Sequence, residues 1–156
     1  MATLSDELAL QLESECGHTY EEIVARKSVE DYRQLRSVVQ DDKEDIKRRQ
    51  SAIHLLGRFG KNEVVPDIVA AIPRLDERGL IGAVDALGQL GGKEALKALK
   101  RQAKSKSADV RRFAVSALDR IGTKEALTEI TKIARADESG FVRTKARRLL
   151  KRRAEK

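Results

Sequence analysis

Three stretches of the chain, LLGRFGKNEVV (55–65), ALGQLGGKEAL (86–96) and ALDRIGTKEAL (117–127), align without a gap. Leu56, Leu87 and Leu118 fall in register, as do Gly60, Gly91 and Gly122, and Glu63, Glu94 and Glu125, always 31 residues apart. A further copy opens at VRTKARRLL (142–150). There Val110 and Arg111 map onto Val142 and Arg143, Ala114 onto Ala146 and Leu118 onto Leu150, at a step of 32 whose extra residue falls in the loop sequence ADESGF. A fixed period of this length restricts the fold more than any other feature. One unit cannot bury its apolar face alone, so successive units must stack and share a core.

Each unit reads as two helices. Positions 110, 113, 114, 117, 118 and 121 carry apolar or small residues at the spacing of one helical stripe. Gly122 ends that helix, because it can take the left-handed conformation of a C-terminal cap. Thr123 caps the next helix, whose apolar side is Ala126, Leu127, Ile130, Ile133 and Ala134. Ser107 or Asp109, and Ser139, serve as caps for the first helices of their units. Pro66 falls in the first turns of a helix, where a missing N–H costs little, and Pro73 closes that helix. Glu63, Glu94 and Glu125 fall in first turns, where negative charge is favoured.

Residues 1–43 do not follow the period but also read as helical. Thr3 or Ser5 can cap a helix through Leu8 and Leu12 that Gly17 ends, and residues 19–22 have capping-box spacing from Thr19. In SVEDYRQLRSVVQ (28–40), Val29, Tyr32, Leu35 and Val39 share one side. These helices serve as an N-terminal cap and a degenerate unit covering the apolar end of the stack. QDDKED (40–45) is the turn into the first clear unit.

The pattern DVRRFAVSALDRIGTKEALTEI, with weaker copies on either side over roughly residues 44–153, resembles the HEAT-like repeat family, in the short class found in bilin lyases. Ordinary HEAT units run longer, at about 40–47 residues. The resemblance implies an all-α, right-handed α-solenoid of stacked helix pairs. The expected organisation is a helical N-terminal cap over 1–43, units at about 44–75, 76–106 and 107–138, and residues 139–156 as C-terminal cap. It also implies that the helix opening with Val-Arg lines the concave side, and that Asp and Arg groups bond across units as a ladder. Arg111 and Arg143 are assigned to that ladder, beside Asp109 and Asp137. Arg112 falls opposite the apolar stripe, with Ser116, Asp119 and Arg120, facing solvent and available to a partner.

Stacking sets the equivalent columns side by side: His54 and Arg58; Asp85 and Gln89; Arg112, Ser116 and Arg120; Arg148, Lys151 and Arg152. The row grows basic toward the C-terminus. The whole chain follows that trend: residues 1–47 hold 6 basic and 12 acidic groups, whereas residues 100–156 hold 18 and 7. A field of this kind steers association. The expected activity is therefore that of a protein-interaction scaffold whose basic groove takes an acidic segment through arginine forks. The residues expected to contact it are Arg58, Arg112, Ser116, Arg120, Arg148, Lys151 and Arg152. The alternative is binding to the backbone of a nucleic-acid duplex; single-strand binding lacks its stacking platforms, because Tyr20 and Tyr32 lie in the acidic half and Phe59, Phe113 and Phe141 read as structural.

An enzyme or enzyme subunit, by analogy with bilin lyases or HEAT-like DNA glycosylases, is the third reading. The absence of Trp and aromatics at only 3% argue against a tetrapyrrole or base pocket. No nucleophile stands beside a His, no glycine loop carries a Lys-Ser/Thr sequel, and Cys16 with His18 has no second pair to complete a metal site. The expectation is thus no catalytic residues, no cofactor and no metal. A single Cys excludes an internal disulfide, and with neither a membrane-length apolar run nor a signal-peptide pattern the expected setting is a cytoplasmic monomer.

Overall fold

The structure, a computed structural model, describes residues 5–13 and 17–155. Among the described residues there are ten α-helices and no strand. They are α1 (Asp6–Glu13), α2 (Gly17–Arg26), α3 (Val29–Gln40), α4 (Ile46–Phe59), α5 (Val65–Ala71), α6 (Glu77–Leu90), α7 (Gly92–Gln102), α8 (Ala108–Ile121), α9 (Lys124–Ala136) and α10 (Gly140–Ala154). Short 3₁₀ turns flank α5, and Pro66 and Pro73 stand at the starts of α5 and of the turn that follows it. None of the described helices is long and apolar enough to cross a membrane.

Local chemistry sets most helix ends. Asp45, Asp76, Ser107 and Thr123 accept the backbone N–H groups of Lys47 and Arg48, of Gly79, of Val110 and of Ala126. These bonds satisfy donors that a helix start leaves orphaned. Gly60 and Gly122 end α4 and α8 at φ of 72° and 66°, a left-handed turn that a side chain would strain. Ser139 precedes α10 without a side-chain bond.

The pairs stack in two layers. Helices α4, α6, α8 and α10 lie side by side in one, and α5, α7 and α9 form the other. The first layer is the tighter. A Cβ placed on Gly57 would stand 2.8 Å from that of Ala86, and one on Gly88 would stand 2.7 Å from that of Ala117. Only glycine lets α4, α6 and α8 approach so closely. In the second layer α7 and α9 scarcely touch. A stack closer on one side curves toward that side, so the layer from α4 to α10 is the inner one. One continuous apolar core, from Leu8 and Leu12 through Leu55, Leu87 and Leu118 to Leu149, runs between the layers. Each fully buried leucine contributes about 1.5–3 kcal/mol.

The N-terminal helices close one end. Helices α1, α2 and α3 pack on α4, and Tyr32, Leu35 and Val39 are buried as their spacing predicts. Three local expectations fail there. Val29 is 65% exposed, because it is the first residue of α3 and lies a full turn ahead of the buried stripe. Helix α2 begins at Gly17, so Gly17 opens a helix where a stop was expected and Thr19 lies inside it. Ser28 caps α3 by accepting from Asp31, and Ser5 plays that part for α1 through the Leu8 N–H. Thr3 and Cys16 lie outside the described residues.

Candidate interaction face

Arg111 belongs to the frame. Its guanidinium makes a bidentate bond to Asp137, Nε to Oδ2 at 2.9 Å and Nη2 to Oδ1 at 3.1 Å, with both side chains only 6% exposed. Nη1 donates to the carbonyls of Ser105 and Lys106, closing the loop that leads into α8. Burial alone would raise the pKa of Asp137. Arg111 and the Ser139 N–H outweigh that cost and hold it below the usual carboxylate range. Arg143 repeats the loop-closing half of this design on the carbonyls of Asp137 and Glu138. Buried Arg49 does the same one unit earlier still, donating to Asp41 and Glu44 carbonyls. Arg49 stands 62 residues before Arg111, two full periods, and that register could have found it in the sequence; at the intervening position stands Leu80. Asp109 pairs with Arg112 at 3.3 Å, one turn away, and so does not join the ladder with Arg111.

Arg112 differs from its expected place. It faces away from the core but is not free in solvent. Its guanidinium lies 4.7 Å from the ring centre of Phe113 and 5.3 Å from that of Phe141, and its side chain is 32% exposed. Phe141, expected to be structural, is 66% exposed and supplies the outer wall of this sandwich. Asp119 also departs from expectation: it is buried, because Arg152 and Arg153 of α10 close over its carboxylate. Arg153 also donates to the Asp119 carbonyl.

The remaining expected contacts form a connected row across the inner layer. His54, half-buried beside Tyr20 at 5.7 Å between ring centres, feels both Arg58 and Asp85. Burial first, and then the Arg58 cation, lower its pKa. Arg120 reaches from α8 to Asp85 of α6 at 2.9 Å, and Gln89 bonds the same carboxylate at 2.7 Å. Ser116 sits one turn from Arg112 and donates to its carbonyl. Arg152 meets Asp119 beside Arg120. Arg58 reaches Glu21 at 3.8 Å, and Lys151 reaches Glu155 at 3.9 Å. Of the seven expected contact residues, Ser116 is neutral and Arg148 alone among the six cations forms no ion pair with another described residue.

A second basic surface was not expected. Where α7 and α9 splay apart, a groove of about 470 Å³ opens on the outer layer, lined by Lys93, Leu96, Lys97, Lys100, Arg101 and Lys104. Lys100 pairs with Glu125 across it at 2.7 Å. Its sequence signal was the basic face of KEALKALKR, hidden by attention to the Val-Arg helices. No group of three or more His, Cys, Asp or Glu side chains among the described residues is placed to hold a metal ion.

Comparison with known proteins agrees with this geometry. The family model described as HEAT repeats matches residues 75–151. A chain in the structure of the complex of CpcE and CpcF of phycocyanin lyase from Nostoc sp. PCC7120 superposes with a TM-score of 0.72. It is 14% identical, and the match covers 92% of this chain and 95% of that one. Human deoxyhypusine hydroxylase in complex with glycerol is 16% identical over 96% of this chain and 85% of its own. Its TM-score of 0.32 is too low to equate the two architectures. No curated protein matches the sequence.

Proposed function

We infer that this chain, whose residues 75–151 belong to the HEAT-repeat family, is a scaffold that holds a protein partner against its inner helix layer. The observation that carries the reading is the connected row from Arg58 and His54 through Asp85 and Arg120 to Arg152, running across four stacked helices. HEAT-repeat proteins commonly act as scaffolds, and the chain of similar architecture was solved in complex with a second protein. On this reading residues 44–75, 76–106 and 107–138 are the binding units, with 1–43 and 139–156 as caps.

The row fits an acidic segment at its α10 end. Arg120 and Arg152 are half-spent on Asp85 and Asp119, which fixes their guanidinium planes and lowers the entropy lost on binding. Arg148 and Lys151 supply the open charge, Arg112 presents its free edge between two rings, and Ser116 and Arg58 extend the row. Affinity comes from burial along the row, and charge sets rate and choice of partner.

The test is fluorescence anisotropy of a labelled glutamate-rich peptide and, separately, of a random DNA duplex. Arg148→Glu with Lys151→Glu should weaken the peptide roughly tenfold. Lys97→Glu with Arg101→Glu, on the outer groove, should leave it near the wild-type value. Equal peptide binding by wild type and the α10 variant defeats the reading. Duplex binding with a steep salt dependence would move the assignment to the nucleic-acid backbone.

A further inference from the structure

The outer groove and the first helix carry matching patterns. In α1, Leu8 and Leu12 face the core at 2% and 1% exposure, while Leu10 on the opposite side is 70% exposed. Asp6 and Glu13 are also exposed. Positions 6, 10 and 13 lie at i, i+4 and i+7, so they share one helical face with a leucine between two carboxylates. In α7, Lys93, Leu96 and Lys100 line the groove at i, i+3 and i+7, a leucine between two ammonium groups. Read in opposite directions the spacings agree: 6 to 10 to 13 against 100 to 96 to 93. Both acid–acid and base–base separations are seven residues, about 10.5 Å along a helix axis.

We propose that the outer groove between α7 and α9 is the docking site for α1 of a second copy of this chain, bound antiparallel to α7. Leu10 lies over Leu96 and the aliphatic lysine stems, Asp6 meets Lys100, and Glu13 meets Lys93. Lys97, Arg101 and Lys104 hold no ion pair with another described residue, so they add unspent positive charge to the rim. The chain cannot fill its own groove this way, because α1 is packed on α4, at the other end of the stack from α7 and α9. Charge complementarity names the occupant: net charge runs from acidic in residues 1–47 to strongly basic in residues 100–156. An apolar floor also suits a leucine-bearing helix better than a phosphate backbone. An eight-residue helix buries little area, so the contact is weak and reversible. It is separate from the inner-layer reading and replaces the expectation of a monomer.

Sedimentation velocity of the full chain at low ionic strength tests it. The weight-average sedimentation coefficient should rise with concentration, and the rise should vanish in high salt. Leu10→Ser should weaken association roughly tenfold or more. Asp6→Lys with Glu13→Lys should abolish it, and so should Lys93→Glu with Lys100→Glu. Mixing those two charge-reversed proteins should restore association between them, because each then complements the other. All these substitutions are at exposed or rim positions, and unchanged circular dichroism verifies the fold. A concentration-independent coefficient at low salt, association that persists after reversal of Asp6 and Glu13, or failure of the mixed pair to associate overturns the proposal.

Discussion

The joints between α4, α6 and α8 and the joint between α8 and α10 are built from different materials. The first two are dry. Gly57 meets Ala86 and Gly88 meets Ala117 so closely that no side chain fits between. At the next joint the register places Asp119 where Gly57 and Gly88 stood, and Leu149 where Ala86 and Ala117 stood. Backbones can no longer touch. Charge holds the helices instead: Asp119 takes Arg152 and Arg153, Asp137 takes Arg111, and Arg112 is wedged between Phe113 and Phe141. One repeat can therefore be propagated by steric fit or by ion pairs. The end that carries the interaction face is the one held by ion pairs, whose strength depends on pH and salt.

Removing the buried pair should break that joint most severely. Arg111→Ala leaves Asp137 buried without its partner and reopens two loop carbonyls, at a cost of about 3–5 kcal/mol. Urea unfolding monitored by circular dichroism measures it. The same variant should lose part of the acid response. A carboxylate whose folded pKa is depressed stabilises fully above its unfolded value, near pH 4, and that stabilisation is lost as pH falls through the folded pKa. A loss under 1 kcal/mol would mean that the ladder is ornamental.

The dry joints should fail for a different reason. In Gly88→Val the new Cβ would sit 2.7 Å from that of Ala117 and 2.8 Å from its Cα, so α6 and α8 must part. Overpacking of this kind costs about 1–3 kcal/mol. A second substitution, Ala117→Gly, should return much of the loss, whereas the same rescue applied to Arg111→Ala should return nothing. Indifference of Gly88→Val to the state of residue 117 would show that the close approach is not what sets the layer spacing.

The sequence made the first kind of joint legible and concealed much of the second. Leu56, Leu87 and Leu118 recur because the core repeats, and a period can be read without coordinates. So can Gly122 and Thr123, whose roles are local. Arg111 was assigned correctly to the frame because it sits beside a core position. Its partner was misplaced: Asp109 is nearer in sequence, but only Asp137 is presented at the right height by the next unit. Asp119 and Arg112 lie on the polar side of α8, and a helical wheel therefore counts them as surface. What covers them is α10 and Phe141, a packing event between units that one-helix periodicity does not contain. The outer groove escaped for the same reason, since the splay between α7 and α9 follows from the tight glycine contacts in the opposite layer.

Asp119 gives the finest discrimination between the joints. It is buried, but its partners are not: the Arg152 and Arg153 side chains are 60% and 37% exposed. On Asp119→Ala both arginines can turn to water, so the cost should be about 1 kcal/mol or less. The loss should also be local. Helix α10 is the last in the stack and has a neighbour on one side only, so it can open while α4 to α9 remain packed. Amide exchange across Val142–Ala154 should accelerate roughly fivefold, with exchange in α6 unchanged. In that case α10 is a clamp that closes independently on a rigid stack, and Asp119 sets how often Arg148, Lys151 and Arg152 are presented to a partner. Equal acceleration in α6 and α10 would mean instead that the charged joint is as cooperative as the glycine joints.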